Sequence, residues 1–145
     1  MKINRKVFVL VSLAGVAEGA IGGFEMFLPL LLIQHSLALS QIRLYTIILS
    51  ITTEMLIPAA LFVCLYHAGK GLDMARDYVD LGFTVLIGYA VTYFVGFVSC
   101  ALINLISNME MLQILVTALT MGLTKLSRFF LGFSALSLSY FRRSV

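Results

Sequence analysis

The sequence predicts an all-α integral membrane protein, a compact bundle of four transmembrane helices in a single domain. Three observations carry this. Hydrophobic residues make up 61% of the 145-residue chain, charged residues only 12%, and the mean hydropathy is +1.03, well beyond the range of water-soluble domains. Four apolar stretches are each long enough to cross about 30 Å of hydrocarbon as a helix rising about 1.5 Å per residue. The basic residues alternate between the ends of these stretches in the pattern that orients membrane proteins.

The spans are expected at about residues 7–33, 44–67, 79–107 and 110–131, with an amphipathic connection at 68–80 and an interfacial or helical tail at 129–145. Only helices and closed barrels satisfy their backbone in lipid, and runs this long read as helices. The third is the plainest, since no charged residue occurs between Asp80 and Glu110. At the first, "MKINRK" followed by an apolar run and "AGVA" resembles a secretory signal cleaved after Ala17. The apolar character instead continues to Ile33, so a retained first span is expected.

With the N-terminus inside and four crossings, every one of the 10 basic residues except Arg43 falls on the cytoplasmic side. Both termini are therefore expected in the cytoplasm, and a prokaryotic plasma membrane is the expected location. Tyr45, Tyr66, Tyr78 and Tyr140 lie near span ends, where amphipathic rings favour the headgroup layer. The net charge of +3 is accounted for as a topology signal, and no nucleic-acid partner is predicted.

The first span holds "GVAEGAIGGFE". Gly15, Gly19 and Gly23 recur every fourth residue, a glycine-zipper spacing that leaves one helix face without side chains for the close approach of another helix. Glu18 and Glu25, seven residues apart, edge that face. "EMFLP" at Glu25–Pro29 recurs as "EMLIP" at Glu54–Pro58. Proline has no N–H, so Pro29 and Pro58 are expected to kink their helices and to free the carbonyl four residues earlier, that of the glutamate.

Counted along the helix axis, Glu18 lies about 16 Å in from the inner surface and Glu54 about 15 Å in from the outer one. Both acids are thus expected near the midplane, largely uncharged and able to share a proton, with Glu25 displaced outward. Thr53, Tyr89, Tyr93, Asn104, Thr117 and Thr120 fall on polar stripes of the other spans and are the expected hydrogen-bond partners. No basic residue is expected at midplane depth, Lys125 being placed to snorkel to the inner surface, so an internal ion pair is not predicted.

In "KGLDMARDYVDLG", Asp73, Arg76, Asp77 and Asp80 share one helical face, which reads as a solvated cap. Cys64 and Cys100 differ too much in expected depth for a disulfide, and His35 and His67 fall at opposite surfaces. No cofactor, metal site or catalytic constellation is predicted.

Two functional expectations follow. One is a membrane protein that oligomerises or joins a larger complex and whose midplane acids Glu18, Glu25 and Glu54 bind or pass a proton or monovalent cation. The other is a non-catalytic accessory subunit of a larger membrane complex, in which the glutamates serve only as interhelical hydrogen-bond partners. The expected partners are the bilayer and either further copies of the chain or other membrane subunits.

Overall fold

The computed structural model describes residues 3–34, 39–72, 74–103 and 111–142. His35, Asp73, Asn104, Ser107 and Glu110 lie outside the described residues, as do the side chains of Pro29, Arg76 and Gln113. All regular structure among the described residues is helical. In chain order these are α1 (Arg5–Gln34), α2 (Leu39–Ile51), a π-helical turn (Thr52–Leu56), α3 (Ile57–Gly69), α4 (Met74–Ile103), α5 (Met111–Thr124) and α6 (Ser127–Phe141).

Four segments are long and apolar enough to cross a membrane: Arg5–Glu25, Leu39–Gly69, Asp77–Ala101 and Ile114–Phe141. The second runs through α2, the π turn and α3, while a turn at Lys125 and Leu126 divides the fourth between α5 and α6. The fourth differs most from the sequence reading, which ended it near residue 131. "FLGFSALSLSYF" after Phe129 is apolar enough to extend it by a further helix.

The closest packing joins α1 to α4, and small residues make it possible. A Cβ on Gly15 would lie 2.9 Å from the Tyr89 carbonyl oxygen, and one on Gly19 would lie 2.9 Å from the Phe97 amide nitrogen. At Gly23 it would meet the Phe97 carbonyl oxygen at 2.9 Å. From the other side, Gly96 of α4 lies against the backbone of Val16 and Ala20.

The two halves of the molecule pack differently. In one half, α1, α3, α4 and α6 form a ring, with Val7 and Val11, Leu61 and Leu65, Leu81 and Val85, and Ala135 and Leu136 meeting in a single core. Gly69 packs on Ser139, closing α3 against α6. In the other half, α2 contacts α1 and α5 contacts α4, without comparable contact between α2 and α5 among the described residues. No residue of α2 is buried. The second and fourth segments therefore diverge beyond the π turn and the 125–126 turn.

At the far end of the closed half, Arg142 donates from Nη1 to the Tyr66 hydroxyl at 3.0 Å, and Lys70 sits 5.5 Å from the centre of the same ring. Within the helices, hydroxyls largely turn back on their own backbone. Thr46 donates to Ile42 O at 3.0 Å and Ser137 to Phe133 O at 2.9 Å, which explains how such residues sit in apolar segments without outside partners.

Candidate functional site

Four ionisable side chains meet where the second and fourth segments begin to diverge. Arg128, in the first turn of α6, points inward and is 8% exposed; Glu18 of α1 is 1% exposed. The Arg128 Nε donates to Glu18 Oε1 at 3.2 Å, with Oε2 at 3.5 Å. Its Nη2 donates to Glu54 Oε2 at 2.8 Å and to the Thr53 carbonyl at 3.0 Å. Lys125 donates to the other Glu54 oxygen, and the Tyr89 hydroxyl donates to Glu18 Oε2. Both acids thus have the surroundings of carboxylates, acceptors filled by donors, and the two glutamates and two cations sum to zero.

The local backbone explains one of these bonds. In the π turn the Ile57 N–H donates to Thr52 O, five residues back, and so leaves the Thr53 carbonyl that an α-helical bond would have used. Pro58 supplies no N–H to replace it. The freed oxygen accepts from Arg128. The sequence pattern pointed to the Glu54 carbonyl; the extra residue in the π turn moves the Arg128-bonded acceptor to Thr53.

The internal ion pairs overturn the expectation that no cation would reach the acids. Because the fourth segment continues through α6, Lys125 and Arg128 fall in its middle and not near its end. Glu18 and Glu54 do come together, but through one guanidinium and not by sharing a proton with each other. The planar fork of arginine suits this role, since separate N–H groups face two carboxylates and a carbonyl at once. The signal for Arg128 was present in the apolar run after it, closed by "RR" at Arg142 and Arg143.

The remaining expected residues have varied placements. Tyr93 is buried and stacks between Tyr89, at 6.2 Å, and Phe97, at 6.4 Å. Its hydroxyl would be 3.2 Å from a Cβ on Gly22, which places it on the α1 face between Glu18 and Glu25. Thr53 bonds Leu49 O at 3.1 Å through its hydroxyl and reaches the cluster only through its carbonyl. Thr120 bonds Val116 O on its own helix at 3.0 Å, and Thr117 is half-buried on α5. Pro58 is buried. Glu25 is half-buried, and its Oε1 is buried without a hydrogen-bond partner.

A groove of about 550 Å³ opens between α4 and the α5–α6 turn, with Leu86, Phe94, Leu119 and Leu123 among its walls. Tyr89 and Lys125 also line it, so it reaches the edge of the cluster. Among the described residues no three or more His, Cys, Asp or Glu side chains gather as metal ligands. Comparisons with models of known protein families, with curated proteins and with solved structures found no match.

Proposed function

We propose that this chain is a multi-pass protein of a prokaryotic plasma membrane, with both termini cytoplasmic, that passes a proton or monovalent cation by way of its midspan acids. The observation that carries the reading is the cluster itself: Glu18, Glu54, Lys125 and Arg128 meet inside segments that are otherwise apolar. Ionisable groups at such depth cost several kcal/mol to hold in hydrocarbon and are retained where charge is moved or sensed.

The divergence of α2 and α5 supports a route to the cluster from the outer side, and the ring of α1, α3, α4 and α6 a barrier on the inner side. Arg5, Lys6, Lys70 and Arg142 stand at the ends of the barrier half, which agrees with that half being cytoplasmic. Glu54 has a side chain 54% uncovered by its own chain. A carboxylate facing lipid at this depth is untenable, so we assign this side of the molecule to a second copy of the chain.

Proteoliposomes loaded with a pH-sensitive dye test the reading. An imposed proton or cation gradient should collapse faster with the protein than in empty liposomes, and Glu54→Gln should remove the difference. Equal rates with and without protein, or unchanged rates in the variant, reject it.

One observation favours a second reading, an accessory subunit of a larger assembly: the carboxylates of Glu18 and Glu54 are filled by donors of their own chain, as structural acids would be, while α2 is uncovered. Purification from native membranes in mild detergent separates the two. A stoichiometric larger partner supports the accessory reading, and a homo-oligomer opposes it.

A further inference from the structure

Three glutamates occupy the apolar segments of the described chain, and they are not equivalent. Glu18 is held by Arg128 and Tyr89, and Glu54 by Arg128 and Lys125. Glu25 has neither. Buried side-chain oxygens without a partner among the described residues belong to Ser12, Ser139 and Glu25. A serine hydroxyl stays neutral when left alone, whereas an ionised carboxylate with a buried, donorless oxygen does not persist in hydrocarbon. Such an acid takes a proton or a cation.

Its position is also distinct. Glu25 lies two turns beyond Glu18 along α1, about 10.5 Å toward the half in which α2 and α5 diverge. Gly22, four residues after Glu18 and three before Glu25, shares their face, and the Tyr93 hydroxyl rests against it. The charged groups acting on Glu25 from the neighbouring segments are Lys125 of the α5–α6 turn and Glu54 of the π turn, while Tyr93 faces it from α4. Lys125 is engaged by Glu54 and does not neutralise Glu25 directly.

We infer that Glu25 is the exchangeable proton-binding carboxyl of this protein, and that Glu18 and Glu54 are fixed charges which hold Arg128 and Lys125 beneath it. This rests on the transport reading and narrows it to one residue and one ligand. On loading, the Glu25 carboxylate takes a proton from a hydronium ion in the outer half and leaves water behind. With the proton bound, Lys125 remains on Glu54. With the proton gone, Glu25 competes with Glu54 for the Lys125 ammonium, which couples occupancy to the junction of the second and fourth segments.

The test uses the full chain in proteoliposomes, treated with dicyclohexylcarbodiimide, which reacts with protonated carboxyls in apolar surroundings, followed by peptide mapping by mass spectrometry. The expected adduct is on Glu25, with a yield that falls as pH rises and is unchanged by sodium or potassium salts. It should be lost in Glu25→Gln and weakened in Glu54→Gln, where the Lys125 ammonium released by Glu54 turns to Glu25. The wild-type map alone is informative if a variant fails to fold. An adduct on Glu18 or Glu54 without one on Glu25, or no adduct on any acid, overturns the inference. Protection of Glu25 by sodium or potassium also overturns it, by making the ligand a metal cation. Labelled Glu25 without dye-detected flux would retire the transport reading and keep this one, whereas flux without a Glu25 adduct would do the reverse.

Discussion

Arg128 Nε lies 3.2 Å from Glu18 Oε1, joining residues 110 apart in sequence in a site that the chain itself covers almost completely. A buried pair of this kind gains little over an apolar packing, because both ions have been removed from water. Its loss on one side is another matter. Arg128→Gln leaves Glu18 buried with only Tyr89 as donor and should destabilise the protein by about 3–5 kcal/mol. Arg128→Lys should recover little of this, since a single ammonium cannot face Glu18, Glu54 and the Thr53 carbonyl together. Thermal unfolding in detergent measures both.

The contact between α1 and α4 leaves no room for a methyl group at Gly19, where a Cβ would overlap the Tyr93 carbonyl. Gly19→Ala should therefore push the helices apart and cost about 1–3 kcal/mol, as overpacking does. Gly71 has nothing within 4 Å of such a Cβ and provides the control. Gly71→Ala should leave the unfolding temperature unchanged, and equal effects of the two substitutions would contradict the packing described.

Pro58→Ala returns an N–H to the position that leaves the π turn short of donors. That donor can reach the carbonyls that Pro58 cannot serve, and it competes with Arg128 for Thr53 O. The expected result is a smaller coupling energy between Glu54 and Arg128, read from a double-mutant cycle in the Pro58→Ala background. A coupling equal to that of the parent protein would show that the π turn does not position this bond.

Orientation is tested by cysteine labelling in a chain whose two cysteines, Cys64 and Cys100, are replaced by alanine. In spheroplasts an impermeant maleimide should modify Ser40→Cys at the start of α2 directly. Gly71→Cys, beyond the end of α3, should react only after the membrane is opened. The reverse pattern would invert the topology.

The acids and the close helix pair were legible because helical period is written in spacing: Gly15, Gly19 and Gly23 share a face, and Glu18 lies at its margin. Arg128 was not legible for an equally local reason. The fourth span was expected to end near residue 131, with Lys125 close to the inner surface, yet hydropathy continues through Leu138 to Phe141, and the longer segment has Lys125 and Arg128 in its middle. Once Glu18 is placed inside, its need for a counter-charge is itself a signal that the fourth span must bring one. The π turn had only Pro58 as its mark. A one-residue insertion in a hydrogen-bond ladder changes which carbonyl is free without changing the apolar pattern around it.

Glu18 and Arg128 form an ion pair that joins the first and fourth segments inside the protein. The most direct measurement is a double-mutant cycle on the unfolding free energy of the wild-type protein, Glu18→Gln, Arg128→Gln and the double variant. Both single variants should be strongly destabilised, and the double variant should be more stable than their sum by roughly 2–3 kcal/mol, since neither charge is then left alone. Additive losses within about 0.5 kcal/mol would contradict it, because independent sites add in that way.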